Sequence, residues 1–195
     1  MSSPTHAHTF KELELEVELP NYLIVEDHGI VNIDPWDYLI KLAKERKWVY
    51  SPKRKQRESI GLTGYFESVK KEDYFYHIVS CYRQIKIESM NIRVHGHEEM
   101  HALNGCIDIT QGINENEFYN LLKTTERISK NLPSLIRHLK SKGFGARKNE
   151  ILADCGGLHA LKIHGFSLDK INMAEYPQLR LALDILAMDK INPYK

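Results

Sequence analysis

The stretch His97-Glu98-Glu99-Met100-His101 reads HExxH, and the rest of the chain is best read outward from it. On an α-helix, residues four apart lie ~40° apart around the axis and ~6 Å along it. Two imidazoles so placed can hold one metal ion from the same face. Glu98, beside the first imidazole, can reach a water on that ion. Two histidines and a carboxylate base match the arrangement of a zinc hydrolase. With 10 histidines in 195 residues the pattern also arises by chance, so its weight rests on a second match elsewhere.

The flanks of the motif fit a helix over residues 91–104, with Gly105 as its C-cap. Gly96, directly before His97, costs helix propensity. It points to a close backbone approach or to a late helix start. His95 lies two residues before His97 and projects from another side of the helix, in a structural or solvent-facing role. Two histidines leave a zinc ion short by one protein ligand. Glu150 supplies it on a second helix, expected over residues 149–164 and ended by Gly165. Asp154, one turn on and on the same face, is placed to accept a hydrogen bond from a ligating imidazole and so fix its tautomer. His159 should face away from the metal, and His164 lies far along the axis.

HExxH followed downstream by ExxxD resembles the gluzincin metallopeptidases. The longer run Glu150-x-x-Ala153-Asp154-x-x-Gly157-Leu158, ending near Gly165-Phe166, is similar to the family of the CAAX prenyl proteases and their soluble relatives. The resemblance covers residues 91–104 and 149–185. It implies that His97, His101 and Glu150 bind Zn2+, that Glu98 is the general base, and that Asp154 supports a ligand. It also implies a zincin-like fold, a peptide or protein substrate, and substrate held by pairing with a strand edge. Two features depart from the family. Glu99 puts a charge between the Glu and the second His, and residues 106–148 form an insertion between the two ligand helices.

Upstream, residues 1–11 read as a flexible tail, and residues 12–195 as a single domain. Residues 12–19 alternate strictly between leucine or valine and glutamate, the period of a half-buried strand, and residues 21–25 are expected to extend it past Pro20. Asp34-Pro35 is a helix start, with an apolar stripe running to about Arg46. Residues 74–87 read best as one or two strands, with a helix as the alternative. Downstream, helices are expected over 114–130, 133–139 and 174–190, and Gly143-Phe144-Gly145 as a turn. Strands followed by helices give an α+β class: a small N-terminal sheet packed on the HExxH helix, then a helical C-terminal half.

Composition sets the outer bounds. Hydrophobic content of 42% and charged content of 27% are those of an ordinary soluble globular protein. A net charge of +1 gives no overall attraction to nucleic acid or to anionic membrane. No run of ~18 apolar residues predicts a membrane helix, so membrane attachment is not expected, and prenyl substrates do not carry over from the family. The three cysteines, Cys81, Cys106 and Cys155, fit no CxxC pattern and are expected to be unpaired thiols in the cytoplasm.

Two other readings compete with a zinc peptidase. One is a regulatory or partner-binding protein that keeps a zincin fold without turnover, which Glu99 and the insertion favour. The other is a nucleic-acid or partner-binding module using the basic residues 51–58, which hold no interleaved aromatic. Within the peptidase reading, an oxyanion needs a hydrogen-bond donor besides the metal. The family often places a His-Pro pair before an amphipathic helix downstream of the third ligand. Tyr176-Pro177 stands in a similar place here, and a tyrosine hydroxyl can donate the same bond. Replacing Tyr176 by Phe should leave zinc content and folding intact and lower kcat by about 10²-fold. An unchanged kcat removes Tyr176 from the mechanism.

Overall fold

The computed structural model describes residues 4–49, 59–70, 73–110 and 145–167. The chain runs through β1 (Thr5–Phe10), a 3-10 turn (Lys11–Leu13), β2 (Leu15–Pro20), β3 (Leu23–Val31) and α1 (Pro35–Glu45). It continues through β4 (Gly61–Lys70), β5 (Asp73–Arg83), α2 (Glu88–Thr110) and α3 (Gly145–Ile163). This is an α+β arrangement of small sheets and helices.

The sheet of β3, β5 and β4 is the platform. β5 lies in the middle, parallel to β3 and antiparallel to β4. Successive strand residues face opposite sides, and β5 uses both. Ile78 joins the core under α2 and α3, together with Leu23, Met100, Leu103, Leu152 and Leu158. Val79 and Cys81 turn the other way and pack with Leu39, Leu42 and Phe66 beneath α1. Asp34 caps α1 as its sequence indicates, its side chain accepting from the Trp36 N–H at 3.0 Å.

Several expectations change at the N-terminus. Residues 5–10 are not a tail: they pair antiparallel with β2, from Thr5 opposite Pro20 to Phe10 opposite Leu15. The physical reason is Phe10, which is 1% exposed and belongs to the main core. Residues 12–19 are not one strand either. Glu14 takes a left-handed conformation, φ 51°, and breaks the run, so residues 11–13 form a turn and only Leu15–Pro20 is extended. The apolar face survives the break, since Leu13, Val17 and Leu19 are all buried. The residues after Pro20 do not extend β2. They begin β3 in the other sheet. β4 has no counterpart in the sequence reading.

The HExxH helix is longer than residues 91–104. It runs to Thr110, so Gly105 lies inside it, and residues 106–110 belong to the helix rather than to an insertion. Gly105 is there for contact: a Cβ on it would sit 2.3 Å from Cε1 of Tyr65. Helix α3 begins at Gly145, four residues before the expected start and within the expected turn. Its end is as read. Gly165 takes φ +81° and donates to the Lys162 carbonyl, while Phe166 donates to that of Leu161. These two bonds are those of a Schellman cap. The basic segment 51–58, the helices expected over 114–130, 133–139 and 174–190, and the rest of the insertion, 111–144, lie outside the described residues.

Helices α2 and α3 approach with backbone against backbone. A Cβ on Gly96 would meet Ala160 Cβ at 2.5 Å and the Gly156 carbonyl oxygen at 2.7 Å. A Cβ on Gly156 would meet the Gly96 carbonyl oxygen at 2.6 Å, and one on Gly157 the Arg93 carbonyl oxygen at 2.7 Å. Close approach is therefore the reason for the glycine before His97. An exposed helical glycine replaced by alanine gains up to about 1 kcal/mol. At this contact Gly96→Ala should instead cost about 1–3 kcal/mol through overpacking. Urea unfolding midpoints measure the difference, and a stabilised Gly96→Ala protein would contradict the packing described.

Candidate metal centre

The helix contact fixes what faces what. With Gly96 seated on Gly156, the next residue of α2, His97, is turned toward the start of α3. There Nδ1 of His97 lies 3.1 Å from Oδ1 of Asp154, and Nε2 lies 3.6 Å from Oε2 of Glu150. One turn further along α2, Nε2 of His101 is 3.2 Å from Nε2 of His97 and 3.5 Å from Oε1 of Glu150. Zinc–ligand bonds of about 2.0–2.1 Å put tetrahedral neighbours about 3.3–3.4 Å apart. The 3.2 Å between the two imidazole nitrogens is close to that edge, and the 3.5 and 3.6 Å contacts run to the two oxygens of the Glu150 carboxylate, one to each imidazole. His97, His101 and Glu150 therefore fit a three-ligand zinc set. Asp154 sits at Nδ1 of His97, so Nε2 is the atom that faces His101 and Glu150.

The same atoms carry paired charge. Burial opposes a proton on His97, but the carboxylates of Asp154 and Glu150 outweigh it and hold that imidazole up at about 10. Contact with His101 and then with His97 holds the Glu150 carboxyl far below the usual range.

Glu98 is 5% exposed and lines a cleft of about 290 Å³ together with His97, His101, Glu150, Gly61, Leu62 and Thr63. Its setting comes from β4, which the sequence reading missed. Thr63 Oγ1 lies 2.7 Å from Glu98 Oε2 and 3.0 Å from Ser80 Oγ. One hydroxyl hydrogen serves one acceptor, and the shorter contact assigns it to the carboxylate. The other carboxylate oxygen, Oε1, lies against Gly61, where a Cβ would stand 2.6 Å from it. Tyr65 crosses the far end of the cleft and donates its hydroxyl to the His101 carbonyl at 2.8 Å. One signal for β4 is present in the sequence: Leu62, Gly64 and Phe66 alternate with Thr63 and Tyr65. Two glycines in five residues mask it as a turn.

Glu99 takes no part in this cleft. It points to the other side of α2, is 5% exposed, and its Oε2 accepts from the Glu12 and Leu13 N–H groups at 2.7 and 3.2 Å. Burial lifts its carboxyl to about 7. His164 is likewise remote, with Nε2 2.5 Å from Oε2 of Glu12. His159 is buried on α3, near Leu13. Tyr176 lies outside the described residues.

Three substitutions test the set. His97→Ala or His101→Ala should abolish tight zinc binding at this set. Asp154→Asn should weaken zinc affinity about 10- to 100-fold, as removal of a ligand's support does. Zinc competition against a chromogenic chelator measures both, and parental affinity in either histidine variant would exclude the site. Comparison with known proteins does not extend the geometry: no family model, no curated protein and no solved structure matches the chain.

Proposed function

We propose that the protein is a zinc-dependent metallohydrolase of zincin type that cleaves peptide bonds in a peptide or protein substrate. The observation that carries the reading is the convergence of Nε2 of His97, Nε2 of His101 and the Glu150 carboxylate, whose ligand atoms lie within 4.8 Å of one another, with Glu98 in the same cleft. His97, His101 and Glu150 would hold a zinc ion, which would supply Lewis acidity toward the attacking water and the scissile carbonyl.

The protein's own groups do the remaining work. Glu98 accepts the attacking water's proton and passes it to the leaving amine. Thr63 occupies Oε2 of that carboxylate, which leaves Oε1, beside Gly61, to carry the proton. His97 is oriented by Asp154, so its Nε2 is the atom offered to the ion.

Residues 61–65 of β4 run beside the cleft, and their outer edge offers main-chain groups to an extended substrate. Among the described residues, the outer edge of β4 is met by Val49, which pairs with Glu67 further along. A peptide laid antiparallel or parallel on the part of that edge left unpaired among the described residues gains main-chain hydrogen bonds and passes over Glu98. A regulatory protein without turnover drew support from Glu99, whose side chain lies on the opposite side of α2 from the cleft.

Glu98→Gln decides between a working enzyme and a zinc-binding relic. An amide cannot take the water's proton, so this variant should keep the parent's zinc content and lose hydrolysis of a peptide mixture by about 10²-fold or more. Mass spectrometry of the digest reads the outcome. If parent and Glu98→Gln protein leave the same peptides uncut at equal zinc content, hydrolysis is not the function.

A further inference from the structure

Helix α2 carries two pairs of potential ligands spaced four apart, and they interleave. His97 and His101 face α3. His95 and Glu99, each two residues away from a member of that pair, lie about half a turn round the axis. On that opposite face Nε2 of His95 is 2.6 Å from Oδ2 of Asp27 and 3.7 Å from Oε1 of Glu99. The ligand atoms of Asp27, His95 and Glu99 all lie within 4.8 Å of one another.

Every atom of this group that does not face the common point is tied down. Oδ1 of Asp27 accepts from the Gly29 N–H at 2.9 Å. Oε2 of Glu99 accepts the two N–H groups of the 3-10 turn. Nδ1 of His95 is 3.3 Å from Oε1 of Glu12, the same carboxylate-behind-imidazole arrangement that Asp154 makes with His97. Asp27 also stands at an irregularity of β3. The register with β5 shifts between Asp27 and Ile30, and Gly29 takes φ +60°. Bulges of this kind re-aim a side chain. Here the re-aimed side chain points at α2. Three carboxylates, of Glu12, Asp27 and Glu99, surround the one imidazole of His95.

We infer that Asp27, His95 and Glu99 form a second site, for a divalent first-row transition cation, on the opposite face of α2 from His97 and His101. One imidazole nitrogen and two carboxylate oxygens suit such an ion, and Asp27, on the surface, gives it a route in. The N···O separations of 2.6 and 3.7 Å straddle the roughly 3.3 Å that bonds of about 2.1 Å require, so a small shift of Asp27 equalises them. The ion would bridge α2 to β3. Through Glu12 and Glu99 it would also hold the turn that follows β1.

Equilibrium dialysis against Zn2+, with metal counted by atomic emission, tests the site without reference to hydrolysis. Asp27→Ala changes an exposed residue in the otherwise intact chain and should lower the zinc content by about one equivalent, as should His95→Gln. In His97→Ala/His101→Ala protein, about one equivalent should remain and should raise the thermal midpoint. Adding Asp27→Ala to that background should remove both the metal and the shift. A zinc content that Asp27→Ala leaves unchanged overturns the site, since His95 is then a protonated histidine held by carboxylates alone. Metal in the His97→Ala/His101→Ala background that survives Asp27→Ala overturns it equally, as adventitious binding. A zinc content that the His97→Ala/His101→Ala pair leaves equal to the parent's, with the Asp27-dependent equivalent intact, would break the assignment at His97 and leave this one standing.

Discussion

The absence of side chains at Gly96, Gly156 and Gly157 is the constraint on which the structure turns. Helices whose interface carries ordinary side chains stand 8–10 Å apart, axis to axis. Here carbonyl oxygens of each helix occupy the space that a Cβ on the other would need. Only that closeness lets Glu150 and Asp154 of α3 meet the imidazoles of α2. A short carboxylate such as Asp154 reaches Nδ1 of His97 because the backbones are already in contact. The glycines lower the intrinsic helicity of both segments, and the buried residues around them, Met100, Leu103, Leu152 and Leu158, supply the compensating burial.

The sheet then completes what the helix pair begins. α2 presents Glu98 to β4, and β4 answers with residues that are small or hydroxylated where the carboxylate needs room and a donor: Gly61, Thr63 and, from β5, Ser80. A carboxylate buried this deeply is held in place by such a donor. The opposite face of β5 is occupied by α1, so the central strand is covered on both sides.

How much of this was legible follows from the range of the interactions involved. The local pattern HExxH, and the i, i+4 pair Glu150 and Asp154, encode their own geometry within one helical turn, and each is found where that geometry puts it. Gly96 carried a usable signal because a glycine inside a good helix needs a reason. What escaped the sequence depends on partners far along the chain. Residues 5–10 look polar and loose apart from Phe10, yet β2 and the core at Phe10 order them. Glu12 and Glu99 look like surface charges. They are buried because each meets groups more than 80 residues away, which no period can reveal. β4 hid behind its glycines for the same reason, since Gly61 and Gly64 are set by Glu98, Phe66 and Leu39 rather than by a turn.

The two opposite faces of α2 have a mechanical consequence. A helix gripped along one side can roll about its long axis. Roll of ~10° moves a group ~6 Å from that axis by about 1 Å, several times the tolerance of a metal–ligand bond. Such a roll would carry the His97 side and the His95 side in opposite directions, so contacts behind the helix resist it as firmly as contacts in front. Glu12 and Asp27 thereby act as a torsion brace for imidazoles they never touch. The first 30 residues, which contribute no side chain to the cleft, steady the aim of those that do.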